Sequence, residues 1–188
     1  MTIRIANLSE APHFRGKLWP TRTTRSPRTN SPTSCWSRGT THLSALEISV
    51  DGSSRGTGLS SRMLAAMQSN GARLGFSDLF APVRPSGKSA EPGSPIEEYA
   101  GRSRPDGLPA DPWLRVHVRA GAEVVRVAPR SMTISGTLDD WRAWTGLPFD
   151  ASGEVEVPGA LVPVHCSVER GYAVYVEPNV WVHHRLGA

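Results

Sequence analysis

Cysteine is scarce in this 188-residue chain, with Cys35 and Cys166 as the whole complement. Two thiols exclude a disulfide-stapled scaffold and a four-cysteine zinc site. They make a reducing, cytoplasmic compartment the expected setting. Long apolar runs are missing too: none approaches the ~20 residues that span a bilayer. The opening stretch, 1–20, lacks the apolar centre of a signal peptide. A membrane partner is therefore not expected. No segment repeats, which argues against a solenoid or propeller.

Acidic residues are nearly absent from the first forty positions. Glu10 stands there against Arg4, Arg15, Lys17, Arg22, Arg25, Arg28 and Arg38, so this stretch carries +6 of a total formal charge of +4 and the remainder is −2. The basic character belongs to the arm and not to the body. Residues 21–34 contain no large apolar side chain, only Thr, Ser, Arg, Pro and Asn. Nothing there pins the chain to a core. Residues 1–42 are thus expected to form a basic, disordered arm ahead of a folded domain over 43–188. No aromatic residue interleaves with the arginines of 21–34, so nucleic acid is not the expected partner.

Patterning begins near Leu43. Ala45–Val50 alternates as a strand does, and Asp51-Gly52-Ser53-Ser54 breaks it. From Leu59 a helical stripe runs through Met63, Ala66, Met67 and Leu74, with Gly75 as its stop. Asp78–Val83 follows as a short buried strand. A strand, a turn, a helix and a strand set two parallel strands around a right-handed crossover. The Pro- and Gly-rich stretch 84–110 predicts a long loop with a short helical piece at Ile96–Tyr99, and its Arg84–Lys88 segment predicts solvated side chains. Asp111-Pro112 opens a helix ending at Gly121. Ala122–Val127 predicts a strand, extended by Met132–Ile134 beyond a kink at Pro129. Thr137–Asp140 has a capping signature for a helix through Trp144. A closing hairpin is expected from Pro158–Val168 and Tyr172–Val176, turning at Glu169–Gly171. Glu177–Trp181 has no assignable mechanism. His183-His184 read as tail residues without metal partners at ligand spacing.

The feature with chemistry in it is Arg55-Gly56-Thr57-Gly58-Leu59-Ser60, between strand and helix. Two glycines allow a ligand close to the backbone. The unbonded amides and positive dipole end of the helix suit a phosphate. A dinucleotide fingerprint would need glycine where Ser61 stands. A nucleotide P-loop ending at Gly87-Lys88-Ser89 would need glycine at Pro82, which has no N–H to offer.

Strand, Arg-Gly-x-Gly-Leu, helix and strand together resemble the acetyl-CoA-binding motif of the GNAT superfamily of N-acetyltransferases. The family pattern, Gln/Arg-x-x-Gly-x-Gly/Ala, falls on Ser53–Gly58; Ser53 departs from it and both glycines match. The resemblance covers about residues 43–188, with a long insertion between Ser135 and Val168. It implies an α/β fold with a GNAT-like mixed sheet and a strand–helix–strand CoA-binding core, incomplete at the N-terminus. Family members carry about eighty residues before the motif strand and this chain about 43, so a truncated or frame-shifted N-terminus is expected.

The resemblance further implies acetyl-CoA as co-substrate and transfer of its acetyl group to an amine, small-molecule or protein, by direct attack in a ternary complex. Amides of Arg55, Gly56, Thr57, Gly58, Leu59 and Ser60 would hold the pyrophosphate. Ile48, Ser49 and Val50 would bond the pantetheine, and Glu47 would be the base. Tyr99, Tyr172, Tyr175 and His117 are candidates for the acid; the helix 111–120, where the family often has a tyrosine, has none. A non-catalytic CoA-binding or interaction module is the alternative. The sequence carries no sign of oligomeric state.

Overall fold

The computed structural model describes residues 42–45 and 56–187. Six strands and four helices form an open mixed sheet with helices against it, as the resemblance implied. The first strand, β1, is His42–Ser44, so it takes in a residue assigned above to the arm. It runs parallel to β2, Asp78–Val83, with His42 opposite Asp78, and the Ala45 N–H extends the ladder to Phe80 O at 2.7 Å.

Helix α1, Leu59–Arg73, joins them. Its buried stripe is Met63, Leu64, Met67 and Gly71. Two expected members are corrected. Ala66 is exposed, and Leu74 is 53% exposed because the helix has ended there. Gly75 does stop the helix: at φ 86°, its N–H reaches Ala72 O and the Phe76 N–H reaches Gly71 O, the paired bonds of a Schellman end. Gly71 has its own reason to be small, since a Cβ there would meet Leu186 at 2.7 Å.

The loop after β2 contains α2, Ile96–Gly101. Asp111 then caps α3, Pro112–Arg119, with Oδ1 accepting from the Trp113 and Leu114 amides. Proline at the first helical position costs no hydrogen bond. Strand β3 is continuous over Glu123–Thr137, bulged between Ala128 and Met132 where a kink at Pro129 was expected. Thr137 and Asp140 close a capping box on α4, Leu138–Thr145.

A short strand not expected, β4 at Gly153–Val155, pairs with β5, Val164–Ser167, which is much shorter than the 158–168 strand expected. The hairpin turn at 169–171 stands as read. The larger correction is β6, which runs from Tyr172 to Arg185 and not to Val176. Glu177–Trp181 is its middle, and His183-His184 are strand residues, His184 being 0% exposed.

Strand β6 organises the sheet. One flank pairs with β3 along nearly its whole length. The other flank is shared: β2 takes Val180–Arg185 and β5 takes Tyr172–Val174. Alternation on β2 and β6 puts Leu79, Ala81, Val83, Val180, Val182 and Leu186 among Met67 of α1 and Leu114 of α3. The 138–167 insertion makes a second core around Trp141, Phe149, Val164, Cys166, Ala173 and Tyr175. No helix among the described residues is long and apolar enough to cross a membrane.

Candidate functional site

The turn before α1 is built on backbone geometry that only glycine takes easily. Gly56 and Gly58 have φ of 77° and 76°, left-handed values that cost a residue with a Cβ about 1–2 kcal/mol. Gly58 is the N-cap, no side chain caps the helix there, and no acidic residue lies in the first turn. The amides of Leu59, Ser60 and Ser61 have no intrahelical acceptor, by the geometry of any helix start. A Cβ placed on Gly56 or Gly58 would meet nothing within 4 Å. Gly56, Thr57 and Gly58 are exposed, and Leu59 and Ser60 are half-buried. The turn therefore carries positive potential, with no acidic side chain in the first turn of the helix to compete for its amides.

A second polar concentration lies at the C-terminal end of β2. Pairing of β2 with β6 ends at Val83–Val180, and β5 joins the same flank only at His165–Val174. Residues 175–179 of β6 bridge the gap. Across it Arg84 bonds Glu177 Oε2 through Nε (2.9 Å) and Gly159 O through Nη2 (2.6 Å). Tyr175 donates to the same Oε2 (2.8 Å) and accepts from the Leu161 N–H (2.9 Å). Lys88 is 0% exposed, and its ammonium donates to Glu91 O, Pro92 O and Leu161 O at 2.6, 3.2 and 2.8 Å. Burial lowers its pKa from the usual lysine value. The solvated loop expected for Arg84–Lys88 is thus a buried anchorage, because its cations have carbonyl and carboxylate partners that repay desolvation.

The comparisons with known proteins agree with this architecture. No family model matches the chain. It is 40% identical over 162 residues to an arginine N-acetyltransferase, avaD, of Aspergillus versicolor, the match covering 77% of this chain and 56% of that protein. The chain therefore spans about half the length of this curated relative. Its fold matches the loading GNATL domain of CurA from Lyngbya majuscula with a TM-score of 0.50 at 18% identity, over 80% of this chain and 57% of that one.

The fold is that of a GNAT-like domain, in a chain similar in sequence to an N-acetyltransferase.

Of the GNAT site residues expected, Gly56, Thr57, Gly58, Leu59 and Ser60 lie at the turn just described. Glu47, Ile48, Ser49, Val50 and Arg55 fall outside the described residues, as does most of the 1–42 arm. Tyr172 opens β6, opposite Thr137 and Ser167, and the other three candidate acids have engagements of their own. Tyr99 donates to Asp111 Oδ2 at 3.0 Å, and Tyr175 to Glu177. Burial first, then the neighbouring carboxylate, raises both phenols above the ordinary tyrosine value.

His117 is deep in the core. The Gln68 amide donates to Ala120 O (3.2 Å) and to His184 Nδ1 (2.9 Å), which leaves His184 Nε2–H to donate to His117 Nδ1 (2.9 Å). Burial, then the facing His184, pushes His117 down to about 3, and burial lowers His184 as well. Both rings are neutral near pH 7, tying α1, β6 and α3 together. The sequence missed this pair because the strand was ended before Glu177-Pro178. Continuing period two from Val180 through Val182 to His184 would have found the buried ring. Among the described residues no group of three or more His, Cys, Asp or Glu could hold a metal.

Proposed function

We propose that this chain is an acetyl-CoA-dependent N-acetyltransferase that acylates an amine by direct attack within a ternary complex. The observation that carries the reading is the open glycine turn at the head of α1 on a GNAT-like sheet. Its helix-start amides, with no side-chain cap and, among the described residues, nothing within 4 Å of a Cβ added to either glycine, fit a pyrophosphate. The cytoplasm is the compartment proposed for it.

Acetyl-CoA supplies the activated thioester. The chain's part is to hold and polarise. Residues 55–60 would grip the pyrophosphate, and amides of Ile48–Val50 would bond the pantetheine and the carbonyl oxygen. Glu47 would take the proton from the amine as its nitrogen joins the acetyl carbon and the carbon–sulfur bond breaks, and that proton, relayed through water, would pass to the departing thiolate to give CoA. The acceptor class comes from the relative's printed activity: an arginine or a similar cationic amino compound.

Calorimetric titration with acetyl-CoA tests the first half. Micromolar binding is expected, and its absence removes the reading. Thiol release with an amine panel including L-arginine tests the second. Binding without turnover would leave a non-catalytic CoA-binding module.

A further inference from the structure

The gap between the end of β2 and the start of β5 contains one polar atom whose bonding is incomplete. Asn179 is 4% exposed. Its Nδ2 donates to Ser131 Oγ at 3.0 Å. Its Oδ1 is buried without a hydrogen-bond partner, the one such side-chain atom among the described residues. An unpaired buried carbonyl costs about 1–3 kcal/mol, so its presence asks for a cause.

Two features of the backbone frame it. On the β2 flank, pairing stops at Val180, one residue before Asn179 in the direction of the gap. On the β3 flank, the ladder is bulged between Ala128, opposite Asn179, and Met132, opposite Glu177. Pro178 between them has no N–H to give a ladder. Bulges re-aim side chains and concentrate beside active sites. Ladder pairing is thus broken on both flanks of β6 at this one place. The neighbouring polar groups have partners already. Arg84, Glu177 and Tyr175 satisfy one another and the 159–161 backbone, and Lys88 is spent on three carbonyls. Among the described residues the Asn179 carbonyl is the one fully buried polar side-chain atom left without a partner.

The position also fits the reaction proposed above, on which this inference rests. Arg84 follows Val83, the last β2 residue paired with β6, and Asn179 adjoins its partner Val180. Asn179 lies on the strand next to β2, a spacing of about 4.8 Å.

The geometry points to Asn179 Oδ1 as the specificity-determining receptor for an N–H donor of the acceptor, an ammonium or guanidinium group seated in the β2–β5 gap. Such a donor completes the bonding of the amide, and an acceptor without one leaves the carbonyl orphaned. Sites of this kind discriminate strongly for that reason.

The test is calorimetric binding of L-arginine and of agmatine, which keeps the guanidinium and lacks the carboxylate, to the full chain. Wild type should bind both. Asn179→Leu should weaken both by about tenfold or more, the loss of one hydrogen bond to a charged donor, with acetyl-CoA affinity unchanged and a melting temperature equal to or above wild type, since an orphan has been removed. Asn179→Asp, which keeps an oxygen at the same place, should hold binding within about threefold. Unchanged binding by Asn179→Leu overturns the proposal, as does a fall in its melting temperature with binding unmoved. Loss of arginine binding with agmatine unaffected would put the amide on the carboxylate and overturn it too. No binding of either probe to wild type does the same. Arginine binding without acetyl-CoA binding would sink the transfer reaction while leaving the subsite standing.

Discussion

Lys88 shows what a buried cation requires. Three carbonyl oxygens surround its ammonium, one of them Leu161 O from the insertion. Lys88→Met keeps volume and removes every donor. The variant should lose about 2–4 kcal/mol in urea unfolding, because buried carbonyls lose their partner. The histidine pair makes a second residue-scale prediction. Both folded pKa values lie below the unfolded value of 6.5, so the folded state binds fewer protons there. Stability is complete above about pH 6.5 and falls as pH drops toward 3. The slope is up to about 1.4 kcal/mol per pH unit for each ring. The lowered carboxylates, Asp78 and Asp140, titrate below their ordinary 3.8, so the window from 6.5 to 4 belongs to the histidines. Urea midpoints measured across pH 4–8 should show the decline, and His117→Phe should flatten it. At this scale the sequence was least informative. A lysine in a Pro- and Gly-rich stretch reads as solvated, and only tertiary contacts supply the three carbonyls.

Elements were easier to read. The Gly56–Gly58 turn, the start of α1, the Schellman stop at Gly75, the Asp111 cap and the Thr137 capping box all follow from local chemistry, which acts over four or five residues. Strand lengths were misjudged where a proline or glutamate interrupts the apolar code. Glu177-Pro178 sits inside β6 because a bulge opposite and Arg84 alongside accommodate it. The two left-handed glycines flanking α1 offer a controlled comparison. Gly58→Ala and Gly75→Ala both place a Cβ in open space at positive φ. Each should cost about 1 kcal/mol of stability. Only Gly58→Ala should weaken acetyl-CoA binding, by about tenfold or more in calorimetry, since its methyl group enters the space in front of the helix amides.

At the scale of the whole molecule, two cores share one sheet. The α1/α3 core and the insertion core meet along β6, and the buried bonds of Arg84, Tyr175 and Lys88 fasten one to the other. The insertion was legible as an interruption of the GNAT-like order, but its anchorage was not, because the bonds from Arg84 and Lys88 reach residues 75 and 73 positions away. Arg84→Met breaks the fastening and strands the Glu177 carboxylate. A loss of about 3–5 kcal/mol is expected, with faster hydrogen exchange over residues 157–162 before the rest of the sheet. The place of β6 has a consequence for how the molecule is made. The strand that comes last in chain order lies at the centre of the sheet and pairs with β2, β3 and β5. Until it leaves the ribosome those three strands have raw edges and neither core can close. Folding on the ribosome is therefore held back until β6 has emerged, with the nascent chain exposed to chaperones and to aggregation throughout the wait.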